Sequence, residues 1–178
     1  MSAATNLLER ALRIALDAHE GQRYPSPEGE PYILHPLRVM ASVAGESAQI
    51  AAVLHDVIED TEITLAQLAR WGFSPSVLFT LDCLTRRRGE AYSVHIGRVA
   101  TDPTAVQVKI ADLKDNLRNN LRLARSPDVK ARIQRYEQAL ASLNPQGFAN
   151  RRGSEPPVRP SPGRRPRSAR VGAREAGS

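Results

Sequence analysis

"LHDVIED", residues 54–60, places four ionisable side chains among leucine, valine and isoleucine. The four are His55, Asp56, Glu59 and Asp60. Burying a carboxylate is costly unless positive charge or hydrogen bonds compensate it. Residues four apart on a helix project from one side, which pairs His55 with Glu59. Asp56 pairs with Asp60 in the same way, and a divalent cation bound beside them would supply the missing charge.

Apolar residues recur at helical spacing along most of residues 1–144. Leu8, Leu12 and Leu16 form one stripe, and a Thr-x-x-Gln capping box starts a later helix that closes on Gly72. Ser-Pro pairs at 74–75 and 126–127 are typical of helix starts. No segment shows sustained alternation, and aromatic residues make up only 4% of the chain. We therefore predict a single all-α domain over residues 1–144, a bundle of about seven or eight helices.

The C-terminal segment, residues 145–178, differs sharply in composition. Residues 151–178 hold eight of the 25 basic and two of the 19 acidic residues, so residues 1–150 hold 17 of each. The net charge of +6 therefore belongs to this segment, which is rich in Pro, Gly, Ser and Arg. Too little apolar area is present to offset the entropy of ordering, which predicts a disordered tail. Contact with nucleic acid is expected only through this tail, and a solvated extension without a partner is the favoured interpretation.

Several functional classes are excluded by composition. The single cysteine, Cys83, rules out an intrachain disulfide and a zinc-ribbon site. No apolar run approaches the roughly 20 residues of a membrane span, and no secretion signal is present. No Gly-rich phosphate loop or dinucleotide fingerprint occurs. These observations predict a cytoplasmic protein that acts away from membranes.

Two further segments offer ligands that match the central cluster. His35 lies just before Pro36 at an expected helix start, and Asp112 lies on the apolar side of another helix, with Asn116 one turn later. Two histidines and two aspartates form a nitrogen–oxygen site without sulfur, which suits Mn²⁺ or Fe²⁺, with Zn²⁺ as an alternative. Each residue also has a plain structural interpretation: a core histidine, a helix end at Asp60, or an ion pair of Asp112 with Lys109 or Arg118.

The order of these motifs resembles the HD metal-dependent phosphohydrolase superfamily. More closely, residues 5–143 look like the hydrolase domain of RelA/SpoT proteins. Three stretches carry the resemblance: "AHEGQRYPSPEGEPYILHP" at 18–36, "LHDVIEDTEIT" at 54–64 and "VKIADLKDNL" at 108–117. The resemblance implies a small alarmone hydrolase that removes the 3′-pyrophosphate of (p)ppGpp with the help of Mn²⁺.

The same resemblance implies a role for individual residues. It makes His35, His55, Asp56 and Asp112 the metal ligands. Glu59 and Asp60 match the acidic pair that activates or orients the attacking water. Asn116 matches a residue at the ribose, and Tyr136 matches a substrate-contacting tyrosine of the metazoan relatives.

The chain departs from the family pattern at two places. Tyr24 follows Arg23 where a second basic residue commonly contacts the base, so we expect Arg23 or a stacked Tyr24 to replace it. "ADLKDN" stands in place of the commoner "ADRxHN", with Lys114 and Asp115 inside the motif. Alternative substrates are therefore (p)ppApp, the 2′-phosphate of NADPH or a nucleoside monophosphate. A regulatory module that binds a nucleotide without turnover is the alternative from another class.

A basic cluster lies between two of the expected helices. "TRRRGEAY", residues 85–92, either faces substrate phosphate through arginine or forms a solvated loop. His95, in the following helix, is predicted to have a packing role.

Overall fold

A computed structural model of the chain describes residues 6–24, 29–123 and 126–144. Within these ranges it contains nine α-helices and one isolated antiparallel bridge. The helices are α1 (Leu7–Ala18), α2 (Leu34–Ala41), α3 (Glu46–Leu54), α4 (Val57–Asp60), α5 (Leu65–Arg70), α6 (Pro75–Leu84), α7 (Tyr92–Val99), α8 (Pro103–Asn120) and α9 (Pro127–Leu143). The predicted all-α fold is confirmed. The predicted tail lies outside the described residues.

The ends of the helices follow the capping signals in the sequence. The Thr64 hydroxyl accepts a hydrogen bond from the Gln67 backbone, and the Gln67 side chain accepts one from the Thr64 backbone. Helices α6, α8 and α9 each begin at a proline that follows a capping side chain. After α5, Gly72 adopts a φ of 88°, in the left-handed region that favours glycine.

Helix α3 forms the centre of the bundle. Its sequence, ESAQIAAVL, is apolar on nearly every side, and its last five residues, 50–54, are all buried. It packs against α1, α2, α6 and α8, which together cover its faces. The residues that follow α3 consequently begin in the protein interior, and these are His55 and Asp56.

The structure interrupts the single helix that the sequence predicted across residues 54–60. Helix α3 ends at Leu54 and the one-turn α4 starts at Val57, so His55 and Asp56 lie in a turn. This interruption is one reason why nine helices are present where seven or eight were expected. Both residues keep right-handed helical backbone angles in this turn, and their side chains meet, with His55 Nε2 3.2 Å from Asp56 Oδ1.

The segment before α2 folds back on itself and delivers two tyrosines to the interior. The Tyr24 backbone donates a hydrogen bond to the Glu30 carbonyl (2.8 Å), and that of Tyr32 donates to Gln22 (3.0 Å). The ring centroids of Tyr24 and Tyr32 lie 5.6 and 6.0 Å from that of His35. Among the described helices, none has the length and apolar content that a membrane crossing requires.

Candidate active site and metal centre

The predicted ligands come together where three parts of the fold meet. His35 is in the first turn of α2, His55 and Asp56 lie in the turn between α3 and α4, and Asp112 is on α8. Ligand atoms of His35, His55 and Asp56 all lie within 4.8 Å of one another. The Asp112 Oδ1 atom is 3.2 Å from His35 Nε2 and 3.7 Å from His55 Nε2. The structure therefore groups His35, His55 and Asp56 around one point and places Asp112 against the two histidines.

The hydrogen bonds of His55 fit a cation ligand. Its Nδ1 lies 2.7 Å from the carbonyl oxygen of Ala52, and because a carbonyl only accepts, Nδ1 carries the proton. Its Nε2 makes no hydrogen bond although it is buried, and it lies 3.2 Å from Asp56 Oδ1. A buried nitrogen without a hydrogen bond, facing carboxylate oxygens, suits a divalent cation bound between them.

The charges of the cluster depend strongly on each other. Burial alone would lower the pKa of His35, but hydrogen bonds to Asp112 and Asp115 outweigh it and raise the pKa to about 10. Burial would raise the pKa of Asp112, whereas Lys109 and the two histidines hold it well below its usual value. The Lys109 ammonium lies 2.8 Å from Asp112 Oδ2. A cation bound here competes with the histidine protons, so its binding should release protons.

The predicted acidic pair lies on α4, next to the ligand cluster. Burial raises the pKa of the Glu59 carboxyl, and a hydrogen bond from the Arg86 backbone opposes that rise. Burial and the neighbouring Asp56 raise the pKa of Asp60. The Tyr32 hydroxyl lies 2.7 Å from Asp56 Oδ2 and 3.1 Å from Asp60 Oδ2, and so joins the ligand cluster to the acidic pair. Carboxylates with raised pKa are better proton acceptors near neutral pH.

A pocket of about 170 Å³ opens beside the cluster. Its polar lining combines one carboxylate of the acidic pair with basic and aromatic side chains. It consists of Glu59, Arg86, Tyr92, His95, Lys109, Asp112, Asn116, Arg135 and Tyr136. The guanidinium carbons of Arg86 and Arg135 lie 5.8 and 5.6 Å from the centroid of the Tyr92 ring. The pocket therefore presents concentrated positive charge next to two acidic residues of the site.

The loop that contributes Arg86 is held rigidly. The Arg98 guanidinium donates to both carboxylate oxygens of Glu90 (2.7 and 2.8 Å) and to the carbonyls of Asp82 and Thr85. Hydrogen bonds from Arg98 and from the Arg87 backbone lower the pKa of Glu90 to about 2. Of the three consecutive arginines, Arg86 lines the pocket and Arg87 pairs with Asp82 on the surface. The cluster thus contributes one side chain to the site.

The four residues expected to bind substrate are in different environments. Asn116 and Tyr136 line the pocket, and the Arg23 side chain is exposed and donates to the Gly29 carbonyl. Tyr24 is only 7% exposed, and its hydroxyl donates to Asn116 Oδ1 (2.7 Å). Such burial leaves little of the ring free for a purine. The structure therefore favours a role for Tyr24 in holding Asn116 over the expected role as a stacking surface.

Four neighbouring residues had no functional role assigned from the sequence. Lys109 pairs with Asp112, Arg135 lines the pocket, Tyr32 contacts Asp56 and Asp60, and Asp115 contacts His35. The sequence offers an ion pair of Lys109 with Asp112 as an alternative to cation binding by Asp112. The structure contains this ion pair, and both residues line the pocket. Asp115 had suggested another nucleotide, but it lies on the far side of His35 and does not line the pocket. The sequence feature that indicates a buried place for Asp115 is its position three residues after Asp112, on the same side of α8.

Comparisons with known proteins agree with this geometry. The mouse protein named guanosine-3′,5′-bis(diphosphate) 3′-pyrophosphohydrolase MESH1 is 35% identical over 156 residues, which are 80% of this chain and 84% of the mouse protein. The chain belongs to the SpoT-like hydrolase family. A solved structure of a metazoan ortholog of SpoT has the same fold as this chain. Its TM-score is 0.64 at 22% identity, and the match covers 86% of this chain and 99% of the ortholog's chain.

Bacterial members of the SpoT-like hydrolase family are much longer. A Haemophilus influenzae 3′-pyrophosphohydrolase is 39% identical over 135 residues, which are 67% of this chain and 19% of that protein. A probable 3′-pyrophosphohydrolase of Synechocystis is 36% identical over 143 residues, which are 72% of this chain and 18% of that protein. The chain therefore spans about a fifth of the length of these relatives. No family model matches it.

His55→Ala should abolish the stabilisation that Mn²⁺ gives to the metal-free protein, because the ligand set is then incomplete. A ligand at about 100 times its Kd stabilises the native state by about 2.7 kcal/mol, enough to raise the melting temperature by several degrees. Thermal unfolding of the full chain with and without MnCl₂ measures this. His95→Gln, which alters a histidine outside the ligand cluster, should keep the rise. A full rise in His55→Ala would remove His55 from the ligand set.

Proposed function

We propose that this chain is a metal-dependent hydrolase that removes the 3′-pyrophosphate of guanosine-3′,5′-bis(diphosphate) and its triphosphate analogue. The observation that carries the proposal is the convergence of His35, His55, Asp56 and Asp112 beside a basic pocket. A cluster of nitrogen and oxygen donors next to concentrated positive charge suits an enzyme that acts on phosphate. The mouse and Haemophilus influenzae relatives are named for hydrolysis of guanosine-3′,5′-bis(diphosphate), which supports this substrate.

The four converging residues would hold the cation. Their nitrogen–oxygen donor set without sulfur supports Mn²⁺, with Fe²⁺ and Zn²⁺ as alternatives. A divalent cation at these ligands supplies Lewis acidity, which lowers the pKa of a water molecule and offsets phosphate charge. The protein keeps the donor atoms in place. For His55, the Ala52 carbonyl accepts a hydrogen bond from Nδ1 and so holds the ring.

Glu59 is the proposed proton acceptor for the attacking water. Its carboxylate lines the pocket beside Asp112, and burial raises its pKa. The Arg86 backbone N–H holds one of its oxygens and leaves the other free to accept a proton. Asp60 is proposed to orient the water together with Tyr32, whose hydroxyl bridges Asp60 and the ligand Asp56.

The pyrophosphate is proposed to lie in the pocket, against Arg86, Lys109 and Arg135. Arginine donates paired hydrogen bonds to phosphate oxygens, and Lys109 adds a point charge next to Asp112. The Tyr92 hydroxyl is buried without a hydrogen-bond partner and can donate to a phosphate oxygen. Burial and the nearby Lys109 lower the pKa of His95 to about 4, so its imidazole is neutral and can donate without adding charge.

The nucleoside is proposed to lie at the open side of the pocket. About 170 Å³ is smaller than the roughly 300–1,000 Å³ of sites that enclose a whole ligand, so it suits the phosphate end. Asn116 and Tyr136, which line the pocket, are proposed to contact the ribose. The amide of Asn116 is held at both ends, because it donates to Asp112 and accepts from Tyr24.

Glu59→Gln should lower turnover of ppGpp by about 10²–10⁴, the usual contribution of a positioned general base, with cation binding retained. The measurement is product formation with Mn²⁺ present, resolved by chromatography. Glu62→Gln, an exposed neighbour of the same type, is the matched control and should leave turnover unchanged. Unchanged turnover in Glu59→Gln would move the base role to Asp60. Absence of turnover in the wild type with any nucleotide tested would favour a binding module.

Guanine and adenine alarmones should be hydrolysed with kcat/KM values within about tenfold of each other, a gap of about 1.4 kcal/mol. The pocket holds phosphate groups, and sharp discrimination would need hydrogen bonds that read a base edge. A panel of ppGpp, pppGpp, ppApp, NADPH and nucleoside monophosphates measures the preference. A hundredfold or greater preference for guanine would show that protein groups outside this pocket read the base.

A further inference from the structure

The two histidines of the ligand cluster are supported differently. His55 Nδ1 faces the neutral carbonyl of Ala52, whereas His35 Nδ1 lies 2.8 Å from the carboxylate of Asp115. The opposite nitrogen of His35, Nε2, is 3.2 Å from Asp112 Oδ1 and 3.6 Å from Asp56 Oδ2. A cation can bind Nε2 only if the proton is on Nδ1, and that is the nitrogen that Asp115 engages.

Asp115 is itself held firmly. Its side chain is 3% exposed, and each carboxylate oxygen has two partners. Oδ1 accepts from Arg38 Nε (2.9 Å) and from Arg118, and Oδ2 accepts from Asn119 Nδ2 (3.1 Å) and faces His35. Two guanidinium groups offset its charge. A carboxylate with all of these contacts cannot rotate without breaking several of them.

The position of Asp115 also keeps it apart from the cation. Asp112 and Asp115 are three residues apart on α8, on the same buried side of the helix. Asp112 contacts His35 at Nε2, and Asp115 contacts it at Nδ1, on the opposite side of the ring. The two carboxylates of α8 therefore flank one imidazole. One faces the cluster and the other supports the ring from behind.

We propose that Asp115 is a positioning residue that fixes the proton and the orientation of the His35 ring and thereby sets the cation affinity of the site. The proposal rests on the metal centre of the proposed function and deepens it. A carboxylate behind a ligating histidine fixes its tautomer and makes the ring a stronger donor, and loss of such a partner usually weakens cation binding by about 10–100-fold. His55 is supported by a neutral carbonyl, so of the two histidines only His35 has a charged partner that strengthens it as a donor.

Calorimetric titration of the metal-free full chain with MnCl₂ tests the proposal. Asp115→Asn keeps the size of the side chain and removes its charge, and should weaken Mn²⁺ binding by about 10–100-fold. Asp128→Asn, an exposed aspartate on α9, is the matched control and should bind like the wild type. His55→Ala should lose binding altogether. Circular dichroism and urea unfolding of the metal-free variants show whether each is folded.

A second measurement reads the tautomer of His35 directly, first in the wild type and then in folded Asp115→Asn. In ¹⁵N-histidine spectra of the Zn²⁺-loaded protein, the His35 Nδ1 proton should be present, shifted strongly downfield and slow to exchange. In Asp115→Asn the signal of the His35 Nδ1 proton should move upfield and the proton should exchange faster. These changes would not occur if Asp115 only stabilised the fold.

Each unfavourable result has a separate meaning. Wild-type affinity in folded Asp115→Asn, or a wild-type His35 protonated on Nε2, would overturn the positioning role and leave the metal centre intact. Absence of cation binding to the wild type would overturn the metal centre, and the positioning role with it.

Discussion

The structure depends on how the negative charge of carboxylates placed among apolar residues is compensated. Asp56 and Asp112 meet two imidazoles at the end of the most buried helix, where water compensates charge poorly. Positive charge must therefore lie nearby. The Lys109 ammonium supplies it, and so does the His35 imidazole, whose raised pKa favours its protonated form. The turn between α3 and α4 carries His55 and Asp56, whose side chains meet at this point.

The residues around the ligand cluster fall into two groups, those behind the imidazoles and those that line the pocket. On one side, Asp115 and the Ala52 carbonyl hold the imidazoles from behind, away from the pocket. On the other side, Glu59 and the cations of the pocket line the space proposed for the pyrophosphate. The Glu90–Arg98 pair fixes the loop that carries Arg86, and the Arg86 backbone in turn holds Glu59. The proposed cation site and the proposed phosphate site thus rest on different residues of the same bundle.

Much of this arrangement follows from local sequence signals. The capping residues place the starts of α5, α6 and α9. The sequence also singled out the two histidines and two aspartates that the structure brings close together. What the sequence did not predict depends on contacts between distant segments. His35 and Asp115 are 80 residues apart, and Tyr24 and Asn116 are 92 apart. Local patterns carry no information about such approaches, so the sequence predicts neither the contact of Asp115 with His35 nor that of Tyr24 with Asn116.

Anomalous diffraction from crystals of the full chain grown with Mn²⁺ locates the cation without reference to activity. We expect one strong manganese peak within bonding distance of His35, His55, Asp56 and Asp112, with Asp115 hydrogen-bonded to the far nitrogen of His35. A peak at other residues, or a peak among these residues that excludes Asp112, would contradict this expectation.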